Sequence, residues 1–316
     1  TGRVWTLEAV EERGAILEDP RLTETLDKAQ ESVLASPSRS MLLVGPSGVG
    51  KTAAIRSIAR ELIARGHILF EASTTDLIAD KSYVGQLEGA IRNIVGALSG
   101  RPVVWYIPDL AALREAGRHR HSSISALNML FPSVAAGRVV ILGEATPSGF
   151  DALVHAEPRV ASTFRVHRVE PTDAATTLDL GRRWLRKEGV EADGDVLEDA
   201  ALLATEFLSG RANPGALLDL LDAATERTAP GAAPRAPRLV RDDLIVTIAR
   251  LTGLPHSILD DRVDLDPDEI EEFFDTRVKG QPEAVRCLVD RIVMIKAGVT
   301  DPPRQPGGSP LPRPTA

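Results

Sequence analysis

Residues 41–65 read MLLVGPSGVGKTAAIRSIARELIAR. MLLV is a short apolar run that ends in a glycine loop. Residues 51–65 then carry apolar side chains at helical spacing, closed by Gly66. The stretch therefore reads as strand, glycine loop, helix. Inside it, GPSGVGKT at 45–52 satisfies G-x-x-x-x-G-K-[ST] in full. That pattern needs its residue types. Glycines let the backbone curl until its N–H groups point inward at phosphate oxygens, and the helix N-terminus behind them adds partial positive charge. Lys51 brings an ammonium to the β- and γ-phosphates, and Thr52 offers a hydroxyl to Mg²⁺. Gly45, Pro46, Ser47, Gly48, Val49, Gly50, Lys51, Thr52 and Ala53 are the candidate nucleotide-binding residues. ATP with Mg²⁺ is the cofactor expected.

Working outward, HILFEAS (67–73), PVVWYI (102–107), RVVILGEA (138–145) and FRVHRVE (164–170) are further strand candidates. Helical stretches separate them, among them QLEGAIRNIVGAL (86–98). Strands alternating with helices predict an α/β fold with a parallel sheet covered on both faces. From 171 onward the pattern is helical. Thr172 is placed to cap a helix over 173–188, and 195–208 and 214–227 follow. Leu217, Leu218 and Leu221 have the spacing of one buried helix face. RTAPGAAPRAPR (227–238) reads as a linker, and 241–251 as another helix. DLDPDEIEEFF (264–274) is an acidic, capped helix start, read as a solvated face. The stretch 301–316 has no periodicity and is expected to be a disordered tail.

Composition bounds the rest. At about 150 residues per domain, 316 residues suggest two domains. No apolar run is long enough to span a bilayer. The opening TGRVWTLEAVEERG lacks a basic-then-apolar signal region, so no secretory route is supported. Cys287 is the one cysteine, which leaves no intramolecular disulfide and no cysteine zinc cluster. That fits a reducing compartment, and a cytoplasmic location is expected. HRH at 119–121 is the densest histidine group, with no Cys or close carboxylate to complete a metal site. A net charge of -8 argues against non-specific nucleic-acid binding.

Nucleotide chemistry also needs a strand-end carboxylate. PVVWYIPDL places Asp109 just past an apolar strand. Asp109 could hold the metal or activate water, or it could be a cap at a strand exit. Glu144 lies at another strand end beside Thr146 and could offer a spare carboxylate. Of the two tyrosines, Tyr106 belongs to an apolar strand and is expected in the core. Tyr83 lies in a polar, turn-like stretch between Lys81 and Gly85.

On these and further segments the chain resembles the Clp-type AAA+ unfoldases, in particular the first ATPase module of the ClpA/ClpB group. GPSGVGKT is the nucleotide loop. KSYVGQLEGAIRNIV (81–95) resembles the segment carrying a substrate-gripping pore loop, with Tyr83 on its aromatic position. ALNMLFPSVAAGRVVILGEAT (126–146) resembles the helix and strand leading to the first sensor, with Thr146 on the sensor position. NPGALLDLLDAA (213–224) is similar to the small-domain helix that closes over the nucleotide. LTGLPHSILDD (251–261) resembles the junction between modules, and 277–304 the opening of a second module. The linker at 227–238 is far too short for a coiled-coil middle domain, so a ClpA-like organisation fits better.

The resemblance implies a P-loop AAA+ large domain over 1–170 and a small α-helical lid domain over 171–260. It also implies the start of a truncated second module over 261–300. It implies ATPase activity with Asp109 and Thr146 as catalytic residues, Thr52 and Asp109 on the metal, and Tyr83 on protein substrates. It further implies a homo-oligomeric ring, a hexamer, and a peptidase or adaptor as partner, with no nucleic acid and no membrane. Where the second module's strand and phosphate loop should follow, the chain has RQPGGSPLPRPTA. It also starts without Met. Both features suggest a longer machine cut at each end, by truncation or a frameshift.

Departures from the family's pattern bear on the chemistry. Pro108 stands where the family keeps its metal-binding Asp, and Asp109 where it keeps Glu. Ser162 and Thr163 replace the paired arginines that reach a neighbouring subunit, and Arg159 lies three residues too early. Gly215 and Ala216 replace an Asp-Lys pair. In GTPases a missing arginine finger slows turnover by about 10³–10⁵, roughly 4–7 kcal/mol of barrier. The expectation is a module that binds ATP and turns it over slowly or not at all. Its rival is a non-catalytic nucleotide-binding regulatory or scaffold subunit. A DNA-acting AAA+ protein would be expected to show a basic face or a helix-turn-helix, and neither is present.

Overall fold

In the computed structural model, residues 2–12, 20–78, 84–114, 116, 125–228 and 238–296 are described. Tyr83, the histidine group at 119–121, most of the linker at 227–238 and the tail at 301–316 lie outside the described residues. The chain divides into two compact units, Thr1–Leu239 and Val240–Ala316.

The first unit is built on a six-stranded sheet. Its strands are β1 (Arg3–Trp5), β2 (Met41–Val44), β3 (Ile68–Glu71), β4 (Val103–Ile107), β5 (Val140–Ala145) and β6 (Arg165–Arg168). They lie in the order β1-β3-β4-β5-β2-β6. Every neighbouring pair is parallel except β1 with β3. All four residues of β2 are buried. Their side chains alternate between two cores. Leu42 and Val44 join Trp105, Ile107 and Ile141 on one face. Met41 and Leu43 join Val104, Tyr106, Val140 and Leu142 on the other. A strand apolar throughout is what a sheet covered on both faces requires.

Each face has its helices. Lys51–Ala64 turns Ala54, Ile55, Ile58 and Leu62 into the second core. Val84–Leu98 and Ala126–Ala135 supply Leu87, Ile91, Leu127 and Leu130 to the first. The helices from 171 onward follow the expected pattern, at Ala174–Glu188, Gly194–Phe207 and Gly215–Thr228. The cap of the first differs from the expectation. Asp173, not Thr172, accepts the Thr176 N–H at 2.7 Å. Its carboxylate outcompetes a neutral hydroxyl as acceptor at a helix N-terminus. Thr172 is instead buried, with its hydroxyl 2.6 Å from that of Thr177.

The second unit contains Arg241–Thr252, His256–Leu259, Pro267–Arg277 and Pro282–Lys296. Asp266 caps Pro267–Arg277, accepting the Asp268 N–H at 3.0 Å. The acidic helix is more than a solvated face. Ile270 is fully buried against Val285 and Val289, while Asp268 and Glu269 stay exposed. Among the described residues no helix is long and apolar enough to cross a membrane.

Candidate nucleotide site

β2 delivers the chain to Gly45, where a Cβ would stand 2.3 Å from the Val169 carbonyl oxygen. The loop then turns through Gly48 (φ 92°) and Gly50 (φ 96°), both in the left-handed region that disfavours side chains. Gly50 immediately precedes the helix Lys51–Ala64. Val49 is fully buried and anchors the loop in the core. Lys51 is buried, and its Nζ donates to the carbonyls of Gly45 and Pro46, each at 2.8 Å. Burial lowers its pKa, partly opposed by the charge of Glu144. The ammonium is thus held inside the curl of the loop.

Thr52 Oγ1 donates to Glu144 Oε2 at 3.1 Å. Tyr106 donates its hydroxyl to Glu144 Oε1 at 2.7 Å. Glu144 is only 5 % exposed. Burial raises its carboxyl pKa, while the two hydroxyls and Lys51 pull the other way. Burial and the Glu144 charge push the Tyr106 hydroxyl far up, so it stays a donor.

Asp109 is exposed, and its Oδ1 accepts the Ala111 N–H at 3.1 Å, the cap of a short 3₁₀ turn, Ala111–Arg114. Thr146 caps Pro147–Ala156, accepting the Gly149 N–H at 3.1 Å. Both side chains line one cavity of about 540 Å³ together with Ser47, Lys51 and Glu144. The chain therefore brings Asp109, Thr146 and the phosphate loop together. Ser162 and Thr163 lie on the short helix Arg159–Thr163. The Arg159 guanidinium lies 3.0 Å from Glu157 and 4.7 Å from the centre of the Phe131 ring.

A second cavity, of about 520 Å³, is lined by the loop from Ser47 to Ala53. Leu22, Leu180, Trp184 and Leu218 give it an apolar wall, and Arg56 and Lys187 add positive charge. Its size is that of a small-ligand site. Of these four the sequence places only Leu218, on a buried helix face with Leu217 and Leu221; it is instead half-buried and lines this cavity, while Leu22, Leu180 and Trp184 are not anticipated. Trp184, an aromatic residue one helical turn after Leu180, was the available signal. The helix Gly215–Thr228 closes onto the loop through its backbone. Ala212 N donates to Ser47 O at 2.7 Å and Gly215 N to Gly48 O at 2.9 Å. A Cβ on Gly215 would meet Gly48 Cα at 2.6 Å.

Residues 41–164 match the family described as ATPase family associated with various cellular activities (AAA). The chaperone protein ClpB of Corynebacterium glutamicum is 28% identical over 199 residues, 59% of this chain and 23% of that protein. A ClpA homolog protein of Fuscovulum blasticum is 22% identical over 298 residues, 89% of this chain and 37% of that protein. Among solved structures, a closed-state reconstruction of Hsp104 with ATPγS and FITC casein superposes with a TM-score of 0.67. It is 21% identical, and the match covers 94% of this chain and 53% of that one. The S. cerevisiae Hsp104–ADP complex gives 0.64 at 22% identity, covering 95% and 53%. The chain thus spans well under two thirds of the length of each of these proteins. Its parallel sheet, its phosphate loop at the end of β2 and these likenesses agree: residues 41–164 match the AAA ATPase family, and the chain is similar to the Clp proteins over a wider stretch.

Proposed function

We propose that this chain is the ATP-binding module of a Clp-like protein unfoldase or chaperone. Binding of Mg-ATP, with slow hydrolysis, would drive remodelling or translocation of protein substrates. The observation that carries the reading is the phosphate loop clasped by the helical lid. Two backbone hydrogen bonds join Ser47 and Gly48 to Ala212 and Gly215, so a nucleotide on the loop bears directly on the lid. In this reading 1–170 is the large nucleotide domain, 171–260 the lid and 261–300 the opening of a second module.

The residues fit the nucleotide and its metal. On nucleotide arrival, Lys51 would exchange two carbonyl acceptors for phosphate oxygens, a stronger, charge-assisted partner. The apolar wall at Leu22, Leu180, Trp184 and Leu218 suits a purine base. Mg²⁺ takes oxygen ligands and keeps several waters, so one or two protein oxygens suffice. Thr52 and nearby carboxylates supply them. No group of three or more metal-ligating side chains is present among the described residues, and none is needed. Bound Mg²⁺ would neutralise charge developing on the phosphates. Asp109 would accept a proton from the attacking water, once freed from its cap on Ala111, and Thr146 would orient the reacting phosphate. Protein substrates, a hexameric ring, Tyr83 as the gripping residue, and a peptidase or adaptor partner come from the Clp and Hsp104 likeness.

Titration of the protein with a fluorescent ATP analogue tests the core of this reading. Saturable binding, weakened at least tenfold by Lys51→Ala, is the expected result. Unaltered affinity in the variant would remove the nucleotide site. The engagement of the Asp109 carboxylate in a cap favours the second reading, a nucleotide-binding subunit that does not turn ATP over. Steady-state ATPase measurements separate the two. Turnover abolished by Asp109→Asn supports the enzyme, and absence of turnover in the wild type supports the regulatory subunit.

A further inference from the structure

The strand that should end in a metal-binding acid ends in Ile107 followed by Pro108, which has no ligand atom. The carboxylate has not vanished from the site. β4 and β5 pair in parallel with Ile107 opposite Gly143, so the residues that follow, Pro108 and Glu144, are neighbours at the same end of the sheet. β5 lies between β4 and β2, the strand that leads into the phosphate loop. Glu144 is therefore one strand nearer to Thr52 than residue 108 is.

We propose that Glu144 is the relocated acid of this module. It would be the carboxylate that, with Thr52, faces the Mg²⁺ of the bound nucleotide, and Tyr106 is the positioning residue that holds it. This rests on the reading of the loop as a Mg-nucleotide site. Three observations carry it. Thr52, the residue whose hydroxyl serves the metal, is hydrogen-bonded to Glu144 at 3.1 Å and not to Asp109. Glu144 lines both cavities that the loop borders, in each case together with Ser47 and Lys51, so a group bound on the loop can reach it. Glu144 is also almost fully buried, while the hydrogen bonds it accepts come from neutral hydroxyls. A buried carboxylate is expensive unless a cation compensates it. The charges of Lys51 and Arg56 favour the ionised carboxylate from a distance, but Lys51 gives its hydrogen bonds to the loop carbonyls. A divalent cation beside Thr52 would supply the missing charge. Tyr106 fixes the other carboxylate oxygen at 2.7 Å, leaving the Thr52 side free to turn to the metal.

The role also separates two functions usually found on one strand. Asp109 sits on β4's exit and lines only one of the two cavities, so it is available to the attacking water. Glu144 takes the metal.

The experiment is nucleotide binding with and without Mg²⁺, read with a fluorescent ATP analogue in Mg²⁺ or in EDTA. The wild type is expected to bind at least tenfold more tightly in Mg²⁺. Glu144→Gln, isosteric and able to pair with both hydroxyls once one of them turns to accept from its amide, should lose that gain while binding in EDTA as well as the wild type or better. Tyr106→Phe should lose part of the gain, with several-fold weaker Mn²⁺ uptake read from the free-ion EPR signal in the presence of ADP. Should Glu144→Gln fail to fold, Tyr106→Phe alone decides. Full Mg²⁺ dependence in either folded variant, or loss of it in Asp109→Asn alone, would overturn the proposal. A wild type that binds no nucleotide in either condition would instead remove the nucleotide reading itself.

Discussion

Replacing Gly215 with Ala should destabilise the first unit, although the same change in a helix is normally favourable. Gly215 is the first residue of the lid helix Gly215–Thr228 and is buried. A Cβ there would lie 2.6 Å from both Cα and the carbonyl oxygen of Gly48, where ordinary contact begins at 3.4 Å. The atoms it meets are backbone, which cannot rotate aside. Loop and helix must part by about 0.8 Å, which carries the 2.9 Å bond from Gly215 N to Gly48 O beyond hydrogen-bond range. The bond from Ala212 N to Ser47 O, 2.7 Å long, is strained by the same shift. Two backbone hydrogen bonds contribute about 1–3 kcal/mol together, and overpacking adds about 1–3 kcal/mol. Against this stand at most about 1 kcal/mol of helix propensity and a similar gain from a stiffer unfolded chain. The net effect expected is a loss of about 1–3 kcal/mol, with ATP affinity falling as the loop is displaced. Gly194→Ala is the matched control. It too opens a helix, Gly194–Phe207, but has nothing within 4 Å of the added Cβ. It should be neutral or slightly stabilising. Urea unfolding of both variants decides the matter. A Gly215→Ala protein as stable as the wild type, or more so, would refute the clasp between loop and lid.

Three further outcomes are expected. Trp184 borders the candidate base cavity, so ATP should change tryptophan emission in the wild type and not in Trp184→Phe. Trp184→Ala should weaken binding roughly tenfold, the scale of one lost base-stacking contact; unchanged affinity would move the base elsewhere. His167 bonds Thr25 at 2.9 Å, and burial lowers its pKa below 6.5, with Lys28 and Arg165 acting the same way and Glu24 opposing. A lowered folded pKa means a stabilising contribution present above pH 6.5 and lost as pH falls through the folded value. Urea midpoints at pH 8 and pH 5.5 should therefore differ more in the wild type than in His167→Gln, and equal differences would count against it. In the second unit, hydrogen bonding and charge from Arg262 hold the Asp260 carboxyl at about 2. That contribution is present above the ordinary value of 3.8 and is lost as pH falls toward 2. Arg262→Ala should move acid unfolding to higher pH in circular dichroism, less so in high salt because the guanidinium is half exposed. Superimposable titrations would show that the pair carries no linkage.

What could be read from the sequence followed from how local the signal is. Strands β2 to β6 sit inside the expected stretches: β2 to β5 are mainly apolar runs, and β6, RVHR, lies within a stretch that alternates apolar and polar residues. β1 went unread because three residues offer no period. It earns its place by long-range contacts: Trp5 Nε1 donates to Glu71 at 2.7 Å and its ring meets Tyr106 edge-on at 5.4 Å. The helix Pro20–Val33 is faint in the sequence because, beside the buried Ser32, its buried stripe is Leu22, Thr25, Ala29 and Val33. The spacing is helical, but two of the four are a small residue and an alcohol, so the stripe is faint. The phosphate loop was legible because one contiguous octapeptide makes it. The apolar wall was not, because Leu22, Leu180, Trp184 and Leu218 come from three separate parts of the chain. Glu144 stands between the two cases. A carboxylate inside the buried run RVVILGEA is a local anomaly, but its partners Thr52 and Tyr106 are visible only once the strands are ordered.

The ordering also explains why the acid could move without rebuilding the site. In a parallel sheet all strands end on one edge, and consecutive strands place equivalent residues side by side. Exchanging an acid at 108 for one at 144 leaves the carboxylate on that edge and shifts it by one strand spacing, about 4.8 Å. Glutamate is one methylene longer than aspartate, and β5 lies adjacent to the loop strand, so reach does not limit it. What changes is the company. At 144 the carboxylate is buried and hydrogen-bonded to Tyr106 and Thr52, where a cation matters more than at an exposed strand exit. The arginine positions have no such substitute: Ser162 and Thr163 are short, and the Arg159 guanidinium is already engaged by Glu157 and Phe131. In the proposal metal binding has a replacement group, whereas Ser162, Thr163 and the engaged Arg159 offer none for the stabilisation of transferred charge. In the proposed module, nucleotide affinity and its Mg²⁺ dependence should therefore survive far better than turnover.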